Sequence, residues 1–542
     1  HNLYLFFCLS GKFQLFPPQK QTNKQTNKPS IDVGSHSSFI HYIISIIMWR
    51  RNMIIFDDWK TDDVDKNEKS KVQELCFDVS EWPVPATATT RAATTTTKEA
   101  RAPPAKHVQY CLRLEDCTHV PIGERIRCHE RNYKRLEVAS TRNDITHLEI
   151  PYAAVCPDIV QKKLETLVGQ NDREWTSVSL FNIHRMDDLY ARPVDGEKLY
   201  LLVSAMKQFK EVHLQGCPAS QGHGLDSMLK AIPDFENIKT LRLDGWQMDR
   251  VAATGLVEAL AWNQHKSITE LSLRSCRFQG EETFHQIVEG LSVNAKQLQL
   301  LNVSYCDLLD QDIIPFIDVM KTHPNLQQLH LGGNTSKSQD TVASIAEWIQ
   351  DPHCKLSNLN FRALWISFSE DGLLQRWVSL IPLYEALKNN TSIKNFTLSE
   401  SYLEDQDICK LSRALAARPS NSLYHFDVAG NPFQEAGVKS LETTLHNQKS
   451  LVSVHFENDI FPPYQCAAGL KFLAQINKVE QKLQLKSNAH SKAQIWPKAF
   501  EKIQKTVDDG LVSSSSVMFH LLRSTVGPHG KELAMQIAAH KQ

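Results

Sequence analysis

Apolar residues recur along this chain in the spacing L-x-x-L-x-L-x-x-[N/C], and the pattern returns about every thirty positions. The clearest copies are Phe209-Val212-Leu214-Cys217, Ile238-Leu241-Leu243-Trp246, Ile268-Leu271-Leu273-Cys276 and Leu298-Leu301-Val303-Cys306. Five more follow at Leu326-Leu329-Leu331-Asn334, Leu356-Leu359-Phe361-Leu364, Ile393-Phe396-Leu398-Ser401, Leu423-Phe426-Val428-Asn431 and Leu451-Val454-Phe456-Asp459. Weaker copies precede them at Ile145-Leu148-Ile150 and Trp175-Val178-Leu180, and a last one is read at Leu483-Leu485-Asn488. Start-to-start spacings run from 28 to 37 residues.

Within each copy the apolar positions alternate with polar ones, the period of a short strand with one buried face. The stretch that follows changes to helical spacing. Leu256, Ala259 and Leu260 form one stripe, as do Val342, Ile345 and Ile349, and again Ile408, Leu411 and Leu415. Asn263 sits near one predicted helix end, where Asn tolerates left-handed backbone. A single strand–loop–helix unit cannot bury both of its apolar faces, so neighbours must stack into a continuous core. Parallel strands take less room than helices. The array therefore curves, with its sheet on the inside.

These motifs resemble leucine-rich-repeat proteins of the ribonuclease-inhibitor-like class, whose long units also close the strand motif with Cys or Asn. The resemblance covers residues 141–488 and implies an α/β solenoid, a horseshoe with a concave parallel sheet and convex helices. Trp246, Leu364, Ser401 and Asp459 depart from it at the closing position. Further on, Ile495-Trp496-Pro497 and Phe519-His520-Leu521-Leu522-Arg523 resemble a C-terminal cap of uncharacterised leucine-rich-repeat proteins from photosynthetic protists. The predicted organisation is a leader or gene-model artefact at 1–47, a disordered segment at 48–105 and a cap at 106–140. The repeats follow at 141–488, then a helical cap at 489–542.

The leader reading rests on the polar duplication from Gln21 to Lys28 and on Met48 or Met53 as a start. Phe39 to Met48 is apolar but short for a bilayer crossing, and its basic residues follow it, unlike a signal peptide. Residues 83–105 are rich in Thr, Ala and Pro and read as a linker. Cys111, Cys117, His119, Cys128 and His129 include zinc's preferred ligand types. Their spacing fits no zinc template, so a folded cap covering the first repeat is expected instead.

A net charge of −1 argues against a nucleic-acid face. Twelve cysteines without a C-x-x-C pair, several at one motif position, read as buried thiols in a reduced, cytoplasmic protein. Nuclear location stays open, and a secreted or membrane-tethered form is the minority reading. Sequons at Asn302, Asn334, Asn389, Asn390 and Asn395 are read as chance. No phosphate loop, H-E-x-x-H or G-x-S-x-G appears, and carboxylate pairs such as Glu281-Glu282 and Glu370-Asp371 read as helix starts. Neither catalysis nor a cofactor or metal is expected.

Alternation turns one residue per unit outward at the centre of the inner sheet: Ser179, His213, Arg242, Ser272, Asn302, His330, Asn360, Thr397, Asp427 and His455. Two positions later come Gln215, Asp244, Arg274, Ser304, Arg362 and Glu457. The stripe suits a protein partner, with Arg242, Arg274 and Arg362 as anchors and Tyr305 and Tyr424 flanking, because Arg and Tyr dominate binding energy at interfaces. A non-catalytic, monomeric scaffold is the leading function. A regulator of a small GTPase, actin or an enzyme is the alternative, with a membrane-tethered receptor third and a ubiquitin-ligase adaptor lacking any recognisable docking module. The unit from Leu356 to Ile393 is 37 residues long, and its extra sequence at 365–382 reads as a lengthened helix or loop, with a docking knob as the sharper reading.

Overall fold

A computed structural model describes residues 110–478, apart from 118–119, 121, 156, 170–172, 184–195, 217–223, 263–266, 370, 372, 419–421, 457–469, 471–472 and 475–476. The leader, the linker, both proposed C-terminal segments, Cys217, Asn263 and Glu457 lie outside the described residues. Twelve strands among the described residues pair in chain order into one sheet, from Tyr110–Arg113 at one end to Ser453–His455 at the other. Every pairing in it is parallel. Tyr110–Arg113 adds a strand before the first copy read from the sequence, because only Leu112 and Leu114 of the motif are present there.

Helices return the chain between strands, as at Arg250–Trp262, Gln339–Gln350 and Asp405–Ala416. The three stripes read from the sequence are all buried. Each helix packs on the next, and the strand residues at the apolar motif positions fill the space between sheet and helices. Phe361, Phe396 and Phe426 continue this core across three units, with ring centroids 6.1 and 6.2 Å apart. The chain is thus a repeat solenoid with a sheet on one side and helices on the other.

The closing position shows why a repeat tolerates different residues there. In five units among the described residues its side chain donates a hydrogen bond to the strand carbonyl of the preceding unit, whereas Ser401 Oγ donates to the Ser399 carbonyl of its own unit at 3.2 Å. Trp246 Nε1 donates to the Leu214 carbonyl at 2.7 Å, Cys276 Sγ to Leu243 at 2.9 Å and Cys306 Sγ to Leu273 at 3.0 Å. Asn334 Nδ2 donates to Val303 at 2.9 Å, and Asn431 Nδ2 to Leu398 at 3.0 Å. Trp246 therefore fits the pattern through its indole N–H. Leu364 has no donor, but Asn334 also donates to Leu331 at 2.8 Å, so the carbonyl that Leu364 would serve is already satisfied. Burial pushes the thiol pKa of Cys276 and Cys306 up, which leaves them inert packing groups.

Two readings are corrected. Cys117 and Cys128 form a disulfide across the first strand–helix connection, with Cα atoms 6.2 Å apart, so these two are not reduced thiols. The two residues are distant enough in sequence that only the fold reveals their approach. Residues 365–382 form no lengthened helix or plain loop: Ile366–Phe368 and Leu374–Arg376 pair as an antiparallel hairpin, with Asp371 in its turn rather than at a helix start. The Asp-Gly turn signal between two alternating runs accounts for it. Trp365 is fully buried against Phe361 of the repeat core, whereas Trp377 is exposed. Finally, Asn334 and Asn390 bury their amides, so the fold itself withholds those two sequons from a glycan.

Candidate functional site

The outward residues predicted from alternation form one row. Ser179 pairs in register with His213, His213 with Arg242, Arg242 with Ser272, and Ser272 with Asn302. The row continues through His330, Asn360, Thr397 and Asp427 to His455. Arg242 and His455 are exposed, and most others are half-buried. Ser272 and Thr397 do not present a surface, because both are buried among longer neighbours.

Part of this polarity serves the fold. The Oδ1 atoms of Asn302, Asn360 and Asp427 each accept the backbone N–H two residues on, at 3.0 Å, and so finish their own strands. One acceptor of each is thereby used. Tyr424 lies half-buried just before the strand His425–Asp427, with its backbone N–H on the Lys394 carbonyl at 2.7 Å.

Two charged groups stand on the row. In the first, Asp244 sits beyond the end of the strand Thr240–Arg242. Its Oδ1 accepts from the Ser272 hydroxyl at 2.6 Å and from the Arg274 backbone N–H at 3.1 Å. His213 Nε2 lies 3.2 Å from its Oδ2 but off the direction of a hydrogen bond. Burial would raise the Asp244 pKa; His213, Ser272 and the charge of Arg242 outweigh it and hold the carboxyl below its ordinary range. Ser179 Oγ lies 3.4 Å from His213 Nδ1, giving a Ser–His–Asp order. The neighbouring backbone N–H groups of Leu243 and Gly245 are donated to the Ser272 and Arg274 carbonyls, so they are not aimed at a reacting oxygen.

In the second group, Arg362 holds Glu400 by two hydrogen bonds, Nε to Oε2 at 2.9 Å and Nη2 to Oε1 at 2.6 Å. Burial opposes the charge on Arg362, yet Glu400 raises its pKa overall. Burial raises the carboxyl pKa of Asp427 next to this pair, and Glu400 adds to the rise. Arg362 is therefore a clamped ion-pair partner more than a free anchor.

The residue immediately before the closing position is left-handed in every unit from Gly245 to Gly430. Gly245, Gly333 and Gly430 have φ of 75°, 74° and 68°, while Ser275, Tyr305, Ala363 and Glu400 have 59°, 60°, 52° and 54°. A large residue in this column leans on the next unit. A Cβ at Gly333 would lie 2.2 Å from Tyr305 Cδ1, and one at Gly430 would lie 2.8 Å from Glu400 Cγ. Glu400 was missed in the sequence, although aligning this column against its glycines would have exposed it. Tyr305 lies under the Arg274 guanidinium, 5.4 Å from carbon to ring centroid.

His330 is half-buried at the centre of the row. Burial, then the charges of Arg274 and Arg242, push its pKa down to about 4. Burial lowers His129 and His323 as well. The unfolded chain takes up protons near pH 6.5, before these folded histidines do. Their effect on stability is absent above that pH, and stability is lost as pH falls from there toward 4. Asp427 works in the opposite direction, while Asp244 and Asp310, whose pKa values are lowered, contribute stability that is present above their ordinary 3.8 and is lost as pH falls below it. Thermal unfolding followed from pH 7 to pH 4 should show a falling Tm, with a shallower fall in His330→Asn. An equal slope in both proteins would remove His330 from this account.

No family model matches the chain. It aligns at 24% identity over 325 residues with Tonsoku-like protein of Mus musculus, covering 53% of this chain and 23% of that protein. With ribonuclease inhibitor of Sus scrofa it shares 23% identity over 185 residues, 34% of this chain and 38% of that protein. The chain therefore spans less than two fifths of either relative. Among solved structures, that of the Rad7 and Elc1 complex in yeast aligns at 13% identity with a TM-score of 0.41, over 65% of this chain and 77% of that one. Repeat motif, parallel solenoid and relatives together make the chain a leucine-rich-repeat protein of the ribonuclease-inhibitor-like class. Among the described residues, no helix is long and apolar enough to cross a membrane.

Proposed function

We propose that this protein is a non-catalytic scaffold that binds a protein partner on the concave face of its sheet. The observation that carries the reading is the row from Ser179 to His455, in which one polar residue per strand keeps a single register and two charged groups, around Asp244 and Arg362, lie beside it. Solenoids of this build use such surfaces for extended contacts. We place the protein in the cytoplasm, which the buried thiols of the repeats support and the Cys117–Cys128 disulfide opposes, and take it to act as a monomer.

The test is affinity capture from native cells, with the parent chain against Arg242→Ser/Arg274→Ser, both checked for intact folding. Loss of a parent-captured partner in the variant is the expected result. Partners retained in both would remove the sheet assignment. The hairpin supplies a second reading, because Phe368, Leu373 and Trp377 expose 47%, 65% and 46% of their surface there. Under that reading Leu373→Ser/Trp377→Ser, not the arginine variant, loses the partner.

A further inference from the structure

We propose that Cys117, Cys128, His129 and Glu115 form, once the Cys117–Cys128 disulfide is reduced, a four-ligand Zn2+ site that cross-links the strand–helix unit ahead of the first repeat. This inference goes beyond the scaffold reading and does not rest on it. Spacing along the chain matches no zinc template, but the fold gathers the four residues. Cys128 and His129 stand on the helix Ile122–Ser140, while Glu115 and Cys117 lie just after the strand Tyr110–Arg113. Cys117 Sγ, bonded to Cys128, also lies 3.7 Å from His129 Nδ1, and Cys128 Sγ lies 3.7 Å from Glu115 Oε2.

Those two separations match the needs of a metal. Zinc binds sulfur at about 2.3 Å and nitrogen or oxygen at about 2.0–2.2 Å, so neighbouring corners of its tetrahedron stand about 3.5–3.8 Å apart. The Sγ–Nδ1 and Sγ–Oε2 pairs already span two such edges. With the disulfide closed, no group of three or more His, Cys, Asp or Glu among the described residues is placed to hold a metal ion. The thiolate is the form that binds metal, so the closed bond withholds two of the four groups. Reduction by a dithiol breaks it: two electrons and two protons pass to the Sγ atoms, and the dithiol closes to its own disulfide. Zn2+ then takes both sulfurs as thiolates and releases their two protons to water.

The groups around the four residues orient them as ligands. Asn132, fully buried, directs Nδ2 to Cys117 Sγ at 3.6 Å. The same amide holds the Glu115 backbone, accepting its N–H at 2.8 Å and donating to its carbonyl at 3.0 Å. Arg131 Nη2 and Arg135 Nη2 each reach the Glu115 carboxylate at 2.8 Å. They fix its direction and offset the excess negative charge of two thiolates and a carboxylate on one dication. Burial favours the neutral, ligating form of His129, and its ring donates to the Ala154 backbone carbonyl, as metal-bound imidazoles do. Both sulfurs are buried, while half-buried Glu115 and His129 give the ion a way in. In a reducing compartment the dithiol form persists, and zinc there replaces the disulfide as the cross-link.

The experiment takes the full-length chain, reduces it with dithiothreitol, removes the reductant under nitrogen and titrates with Co2+ and then Zn2+. Co2+ reports thiolate ligands through a sulfur-to-metal charge-transfer absorption, which Zn2+ should abolish by displacement. The reduced parent is expected to take up one Co2+ per chain more than the oxidised parent or Cys117→Ser/Cys128→Ser. His129→Gln keeps both sulfurs and should weaken that binding at least about tenfold, and it carries the comparison if the cysteine variant fails to fold. Equal uptake by the reduced and oxidised parents, or by the reduced parent and the cysteine variant, would overturn the inference. So would a reduced parent without the thiolate absorption, the result expected of a disulfide that is only a structural link. An unchanged affinity in His129→Gln would overturn the ligand set.

Discussion

Gly333→Ala is expected to destabilise the central repeats by about 3 kcal/mol, far more than its single added methyl suggests. Its φ of 74° lies in the left-handed region, which costs a residue with a Cβ about 1 kcal/mol or more. The larger share is steric. The new Cβ would sit 2.2 and 2.3 Å from Tyr305 Cδ1 and Cε1, so the ring must leave its seat, and Arg274 loses its support with it. Tyr305→Ala in the same chain removes the collision and leaves only the backbone cost. The double variant should therefore recover about 1–2 kcal/mol relative to additivity. Denaturant unfolding read with hydrogen exchange in the central strands measures both quantities, because repeat arrays open unit by unit. A Gly333→Ala protein within 0.5 kcal/mol of the parent, on the order of an ordinary surface change, would refute the packing argument.

The second large effect is expected at Asn334. Its buried amide serves four backbone groups: the carbonyls of Val303 and Leu331 at 2.9 and 2.8 Å, and the N–H groups of Cys306 and Leu308 at 2.9 and 3.2 Å. Asn431 repeats the arrangement with Leu398, Val428, Ser401 and Leu403. Asn334→Ala orphans all four groups where water has little access, at a cost of about 4 kcal/mol. Cys306→Ala removes one weak S–H donor from the Leu273 carbonyl at the matching position, and should cost about 1 kcal/mol. The contrast tests whether the closing residue acts as a stitch between units or as a filler. Equal losses in the two variants would favour the filler.

The two predictions share a cause. The strand motif sets each unit's own turn, but the turn is completed by atoms from the next unit. Asn334 closes the turn that contains Cys306, and Gly333 makes room for Tyr305 of the same preceding unit. Damage at either place therefore spreads toward both neighbours. It also reaches the row, since Tyr305 supports Arg274.

Much of this protein was determined by local pattern. Period-two alternation placed Ser179 through His455 on one face, and the parallel register kept them in line, because a fixed repeat length returns each strand to the same height. Helical spacing marked the buried stripes for the same reason. Tertiary structure decided what alternation cannot carry. It paired Cys117 with Cys128, folded residues 366–376 into a hairpin, clamped Arg362 with Glu400, and set Asp244 against Ser272 and His213. The Arg362–Glu400 and Asp244 contacts join side chains about one repeat or more apart. The disulfide and the hairpin join residues within about a dozen positions that neither the strand period nor the repeat period relates. A sequence period states which face a residue takes. The charge and reach of that residue are fixed only when the units on either side are packed against it.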